Sequence, residues 1–370
     1  MATALSKLRK HLCSSGKTRP SSVPGELCRH FSLREIKEAT CYFSKELIFG
    51  EGPYGTVYKG FIDKGNSRPV AIKRLKKKVE EEFKTEIILL CQIHHVHLVP
   101  FIGYCKDEGE MILVYDFMAN KSLREHLYGT DRAPLLWKQR LQICVGAARG
   151  LHYLHTGLKH AVIHRNVKTT SILLDEKWVA KVSRCELSVH LVVDMEGTRG
   201  PSDSGLSEQI SSINTTASYN ELSAMTRKKK GAYLDPEYSM SHLWTAKSDV
   251  YSFGMVLLEV LCARKPFNKE LEEEQRHLAD WFRKCNGNGS IGKIIDPYLK
   301  GKIASECFKV YVEIAGNCVQ NEGIQRPTML DVLEKLELAL ELQEKADSER
   351  EKMISAGSDI MKDLFTNSQT

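Results

Sequence analysis

The sequence predicts an α+β chain of two lobes, the first rich in strands and the second helical. Three observations carry that prediction. Short apolar runs at residues 70–73 and 111–115 have the length and composition of strands and fall early in the chain. From Trp137 onward the apolar residues Trp137, Leu141, Cys144, Ala148 and Leu151 recur at intervals of four and three, the period of a helix face. The 370 residues are 42% apolar and 27% charged, enough to bury a bilobal core and unlike a fibrous or disordered chain.

Residues 1–30 read as a disordered basic arm. Lys7, Arg9, Lys10, Lys17 and Arg19 all precede the first acid, Glu26. The first 25 residues thus hold five of the 53 basic residues and none of the 47 acidic ones, so nearly all of the +6 charge sits there. The remainder is one charge from neutral, and nucleic acid is not an expected partner. An anionic membrane surface is the partner such an arm suits. A transit peptide has similar composition. The bare arm ranks above it, so a cytoplasmic location, peripheral at the plasma membrane, ranks above chloroplast or mitochondrial import. Ala2 after Met1 excludes N-myristoylation. The 11 cysteines, odd in number and without C-x-x-C spacing, suit reduced thiols better than a disulfide framework. The longest apolar run, residues 250–263, is too short to cross a bilayer and contains Glu259.

Residues 31–43 read as a short amphipathic helix. A strand-rich lobe follows over about 46–116, interrupted by a helix at 79–93 with Phe83, Ile87 and Leu90 on one face. The helical lobe covers about 117–340, with an apolar helix at 245–262 and a last helix marked by Met329, Leu333, Leu336 and Leu340. A charged tail, 341–370, closes the chain. Inside the second lobe, 184–237 forms a long segment, and its Ser/Thr-rich part at 195–230 ends in Arg227, Lys228, Lys229 and Lys230.

The chemistry sits in an ordered set of motifs. Phe49 precedes Gly50, Glu51, Gly52, Pro53, Tyr54, Gly55, Thr56 and Val57, a G-x-G-x-x-G-x-V run between two strands. Glycines there let backbone amides approach phosphates without an intervening Cβ. Val70, Ala71, Ile72 and Lys73 follow on a strand, and Glu86 lies on the next predicted helix, where it could orient Lys73. Then come His164, Arg165, Asn166, Val167 and Lys168, followed by Asp235, Pro236 and Glu237, by Asp249, and by Arg326 with Pro327.

In this order the set resembles a eukaryotic protein kinase domain, and specifically the plant receptor-like and receptor-like cytoplasmic kinases, over roughly residues 31–340. The resemblance implies a bilobal kinase-like fold and ATP as the candidate cofactor. Val57, Ala71 and Leu173 match positions that sandwich adenine, and Lys73 and Glu86 match an ion pair that orients the lysine toward a nucleotide or, as an equal alternative, only bridges the lobe structurally. Glu237 and Arg326 match a buried ion pair of the second lobe, and Asp249 matches the residue that braces the catalytic loop.

The catalytic positions depart from the family. Asn166 stands where an aspartate accepts the substrate proton, and an amide is not a base near neutral pH. Ser171 replaces the metal-binding asparagine. Arg184, Cys185 and Glu186 stand at the Asp-Phe-Gly positions, so a cation replaces an anionic Mg²⁺ ligand. Lys168 is retained. Pro53 removes one amide donor from the loop tip. No metal ligand set remains, and Mg²⁺ is not expected. A general base is worth about 10²–10⁴ in rate, and metal stabilisation several kcal/mol more. The expected function is an inactive pseudokinase, a scaffold, decoy or allosteric partner of active receptor-like kinases or other signalling proteins. The alternative is an active serine/threonine kinase with a compensated mechanism. His94, His95 and His97 read as an ordinary turn rather than a metal cluster, and Lys76, Lys77 and Lys78 as a solvated loop edge. Phosphate on Thr215, Thr216 or Ser218 is a candidate switch.

Overall fold

A computed structural model describes residues 28–52, 55–62, 68–76, 80–129, 131–183 and 231–367. In it the predicted strands of the first lobe form a six-stranded sheet. They are β1 (Arg29–His30), β2 (Ile48–Gly52), β3 (Gly55–Ile62), β4 (Arg68–Leu75), β5 (Phe101–Cys105) and β6 (Ile112–Asp116), in the spatial order β1-β5-β6-β4-β3-β2. Neighbouring strands run antiparallel except β1 against β5.

The two-residue period of a strand gives this sheet two different faces. Tyr58, Val70, Ile72, Ile112 and Val114 are buried on one face, against Phe31 and against Leu33 and Ile36 of α1 (Leu33–Ala39). A capping box starts α1: the Ser32 hydroxyl accepts from the Glu35 amide, and the Glu35 carboxylate accepts from the Ser32 amide at 2.8 Å. On the other face Tyr104 and Leu113 meet Phe83, Ile87 and Leu90 of α2 (Glu80–Gln92). Residues opposite each other on paired strands share a face. Lys73, opposite both Val57 and Leu113, therefore belongs to the α2 face.

The last two residues of the predicted 1–30 arm belong to the sheet instead. Arg29 and His30 pair with Gly103 and Tyr104 as the edge strand of the sheet. Only glycine fits at 103, because a Cβ there would lie 2.0 Å from the Arg29 carbonyl oxygen. Two residues show no periodicity, so nothing in the sequence marked them as a strand. The thiol expectation is also corrected at one pair: Cys28 and Cys91 form a disulfide that ties the entry of β1 to the end of α2 across 63 residues of chain. Among the described cysteines the other seven are free. Reduction, or Cys28→Ser, is expected to lower stability by about 2–4 kcal/mol through the freed loop entropy. Thermal melts with and without reductant check this, and the Ser variant should be indifferent to reductant.

The second lobe comprises α3 (Arg124–Leu127), α4 (Trp137–Thr156), the hairpin β7 (Ile172–Leu174) and β8 (Ala180–Val182), and then α5 (Pro236–Ser241), α6 (Ala246–Cys262), α7 (Glu273–Arg276), α8 (Leu278–Gly287), α9 (Ser305–Cys318) and α10 (Met329–Asn367). From Ser248 to Cys262, α6 is buried on every side, which is why its sequence is apolar without a polar stripe. The last helix buries Met329, Val332, Leu333, Leu336 and Ala339. It continues through Asn367, so most of the predicted tail is helix. Gln343 on that extension is buried and accepts the Ala304 amide at 2.8 Å. Among the described residues no helix is long and apolar enough to cross a membrane.

Candidate active site

The predicted nucleotide residues lie where β2, β3 and β4 face the second lobe. Phe49, Gly50, Glu51 and Gly52 sit on β2, and Gly55, Thr56 and Val57 on β3, with Gly52 opposite Gly55 at the hairpin end. Pro53 and Tyr54, at the tip between them, lie outside the described residues. Val57 stands beside Lys73, and Lys59 beside Ala71, so Val57, Ala71 and Lys73 share one face. Val57 and Ala71 are half-buried, as is Leu173 on β7, while Lys73 is buried to 9% exposure. Glu86 is half-buried on α2. A Cβ added at Gly50 would meet nothing within 4 Å. Its backbone therefore borders open space of the kind a phosphate needs, and this end of the cleft fits a nucleotide. The Phe49 ring packs edge-on against Phe117 of the connector at 4.7 Å, tying the glycine-bearing strand to the second lobe. Lys76 donates to the Gly52 carbonyl at 3.2 Å, so one member of the lysine run serves the hairpin rather than solvent alone.

Opposite this face, residues 164–168 form a loop held from beneath by Asp249 on α6. The Asp249 carboxylate accepts the His164 and Arg165 amides at 2.7 Å each and the His155 ring at 2.8 Å. Burial by itself would raise the pKa of Asp249. The hydrogen bond and charge of His155, with those of His164, outweigh it and hold the carboxyl below its usual value. The clamp is needed locally, because Arg165 has φ +66, a left-handed conformation that costs a non-glycine residue about 1 kcal/mol or more. His164 donates from Nε2 to the Ser183 carbonyl at 2.7 Å and accepts the Asn166 amide at Nδ1, 3.3 Å. These bonds carry Asn166 to the place that the resemblance assigns to the proton acceptor. The Asn166 side chain is an amide, so the position offers hydrogen bonds and no base.

Ser171 stands at the position that the resemblance gives to a metal-binding asparagine. The Ser171 hydroxyl donates its only hydrogen to the Lys168 carbonyl at 2.8 Å and accepts the Lys168 amide at 3.0 Å. Ser183 donates to the Ser171 carbonyl from its amide at 2.8 Å and from its hydroxyl at 3.1 Å. Arg184 itself, with Cys185, Glu186 and the Ser/Thr-rich stretch, lies outside the described residues. Hard cations take carboxylate and carbonyl oxygens, and at position 171 a hydroxyl already committed to Lys168 stands where the resemblance expects an amide carbonyl. Of the histidine run, His97 donates from Nδ1 to the Ala180 carbonyl at 3.0 Å, and His95 stacks on Tyr153 at 4.7 Å. Both are built into the turn.

One expected pair is redrawn. Arg326 pairs with Asp235 at 2.6 Å, both side chains being buried, while Glu237 accepts the Gly323 amide at 2.7 Å. Sequence order gives two carboxylates two residues apart and no means to choose between them. Asp235 also caps α5, accepting the Glu237 amide at 2.9 Å, and is thereby drawn inward.

Glu259, read from the sequence only as a charge interrupting an apolar run, is the centre of a buried cluster. It accepts from the hydroxyls of Tyr128 at 2.5 Å, Thr169 at 3.1 Å and Tyr233. Burial pushes its pKa up to about 7 against those three hydrogen bonds. A carboxyl raised on folding stabilises the fold fully below its unfolded value near 4.5 and loses that contribution as pH rises through about 7. Wild-type stability relative to Glu259→Gln should therefore fall as pH rises from about 4.5 to about 7, read as a change in the difference between their Tm values. A constant difference would contradict the assignment.

A two-lobed fold with a glycine hairpin, a buried strand lysine and an Asp-braced catalytic loop is that of a protein kinase domain. Residues 43–336 match the protein tyrosine and serine/threonine kinase family, and the chain belongs to it. Among curated relatives, the receptor-like protein kinase FERONIA of Arabidopsis thaliana is 51% identical over 345 residues, which is 91% of this chain and 36% of that protein. ANXUR2 of the same plant is 48% identical over 349 residues, 93% of this chain and 37% of that protein. The chain thus spans about a third of the length of these receptor-like kinases. Among solved structures, the pseudokinase domain of BIR2, described as an immune regulator of the RLK/Pelle family, matches with a TM-score of 0.63 and 29% identity. That match covers 84% of this chain and 86% of that one.

Proposed function

We propose that this chain is a kinase-fold signalling protein that does not transfer phosphate and acts as scaffold, decoy or allosteric partner of active receptor-like kinases. The observation that carries the reading is Asn166. A loop clamped by Asp249 and His164 presents an amide at the acceptor position, and the surrounding framework is kept. Ser171 and Arg184 at the metal positions support it, as does the likeness to the pseudokinase domain of BIR2. Relatives that are receptor-like kinases make such kinases the natural partners.

ATP is the candidate ligand of the cleft, held by Val57, Ala71 and Leu173 at the base and by Lys73 and the glycine hairpin at the phosphates. With Ser171 and Arg184 at the family's metal positions, any stabilisation by ATP should be independent of Mg²⁺ in a thermal shift. We place the protein in the cytoplasm, with the basic arm on an anionic membrane surface. The alternative, an active serine/threonine kinase, is favoured by the burial of Lys73 in the cleft and by the named kinases among its relatives. Transfer from radiolabelled ATP, wild type against Lys73→Met, separates the two. Equal background labelling supports the pseudokinase, and labelling that needs Lys73 supports the kinase.

A further inference from the structure

The two ends of the Cys28–Cys91 disulfide sit in unlike surroundings. Cys91, near the end of α2, is 7% exposed and belongs to a packed cluster with Phe83, Ile87, Leu90, Tyr104 and Leu113. Cys28 is half-buried at the entry of β1, and the chain beside it is thinly held. β1 is two residues long, both exposed, and full burial begins at Phe31. The ion pairs Arg29–Glu35 and His30–Asp107, at 3.1 and 3.5 Å, lie at the surface, where such pairs contribute little. One end of the bond is therefore anchored in the core, and the other ties down a short edge strand.

The other described cysteines are unsuited to exchange. Six of the seven are buried. Burial pushes the thiols of Cys105 and Cys307 up to about 11 and that of Cys144 to about 12, and it raises those of Cys262 and Cys318 as well. A thiol held protonated is a poor nucleophile. Cys41 is exposed but is bonded to no described cysteine. Among the described residues, a bonded partner and an accessible sulfur coincide only at Cys28. We propose that Cys28 and Cys91 are a thiol–disulfide exchange site for a glutathione-class thiol, and that its state sets how firmly β1 is held to the sheet. Access selects Cys28 as the sulfur attacked. A glutathione thiolate bonds to the Cys28 sulfur while the electrons of the broken bond leave on Cys91, which takes a proton from water. A second glutathione thiolate attacks the glutathione sulfur of that mixed disulfide and releases Cys28, which is protonated in turn. The protein disulfide gains two electrons, and two glutathiones become one glutathione disulfide; the reverse sequence closes the bond. In the cytoplasm proposed above, where thiols are kept reduced, a bond of this kind opens and closes. The exchange chemistry does not depend on that placement.

The test equilibrates the full native chain across ratios of reduced to oxidised glutathione, quenches it in acid, and maps alkylated and glutathione-bearing peptides by mass. Cys28 and Cys91 should pass together from bonded to alkylated as the ratio rises, while the six buried thiols acquire no glutathione. Given oxidised glutathione, Cys91→Ser should take up glutathione at Cys28 at least about tenfold faster than Cys28→Ser takes it up at Cys91. Hydrogen exchange in the reduced chain should quicken by about tenfold or more at Arg29–His30 and stay slow at Ile87 and Leu90, because the cluster around Cys91 remains packed. A bond that survives excess reduced glutathione in the native chain overturns the proposal. So does faster uptake at Cys91, or exchange at Arg29–His30 that ignores the state of the bond. A resistant bond would leave the cytoplasmic placement standing, and a fluorescent fusion found outside the cytoplasm would remove that placement while the measured exchange upheld the site.

Discussion

Arg326→Ala is expected to lower the stability of the second lobe by about 3–5 kcal/mol, because it strands a buried carboxylate. Arg326 is buried and spends its guanidinium on four oxygens: Asp235 at 2.6 Å and the carbonyls of Gln320, Lys247 and Asn321 at 2.8, 3.0 and 2.9 Å. Asp235 in turn accepts the Ser248 hydroxyl at 2.7 Å, which joins the end of the 184–237 segment to the start of α6. Losing the arginine removes a donor from each of three carbonyls and leaves the Asp235 carboxylate with the Ser248 hydroxyl and the Glu237 amide but no countercharge. Arg326→Lys should recover little, since an ammonium cannot reproduce the planar fork. Chemical denaturation read by fluorescence gives the loss directly. Glu237→Gln, whose carboxylate meets only a backbone amide among these contacts, should cost clearly less; an equal cost would restore the expected Glu237–Arg326 pair.

Asp249→Ala is expected to cost about 3–5 kcal/mol as well, with an effect centred on the catalytic loop. The carboxylate is the acceptor for two consecutive loop amides and for His155, and Arg165 keeps its left-handed backbone under that clamp. Hydrogen exchange at the His164 and Arg165 amides should rise toward unprotected rates while exchange in α4 stays slow. Because Asp249 is held below its ordinary pKa, its contribution is present above about pH 4 and is lost as pH falls through the lower folded value. The wild type should therefore approach the Ala variant in stability under acid.

Much of this architecture was legible in the sequence because it is periodic or ordered by motif. The apolar spacing from Trp137 marked α4, and the unbroken apolar run marked α6 as the buried centre of its lobe. Lys73 was placed on a strand by its neighbours Val70, Ala71 and Ile72, and Asn166 and Ser171 were recognised as departures because their motif surroundings are intact. What was not legible depends on geometry between distant residues. Nothing local says that Asp235 rather than Glu237 turns toward Arg326, that Arg29 and His30 add an edge to the sheet, or that Cys28 reaches Cys91. Glu259 was visible only as an interruption, since its partners Tyr128, Thr169 and Tyr233 lie far from it in the chain and carry no spacing signature.

The central claim, that the framework of a kinase is kept while its chemistry is gone, is tested most directly by single-turnover transfer from radiolabelled ATP with Mg²⁺. Three proteins are compared: wild type, Lys73→Met, and a variant carrying Asn166→Asp, Ser171→Asn and Arg184→Asp. The account predicts that wild type is indistinguishable from Lys73→Met and that the restored variant transfers faster by at least the factor of about 10²–10⁴ that a general base supplies. Wild-type transfer that is abolished by Lys73→Met and not raised by the three restorations would contradict it.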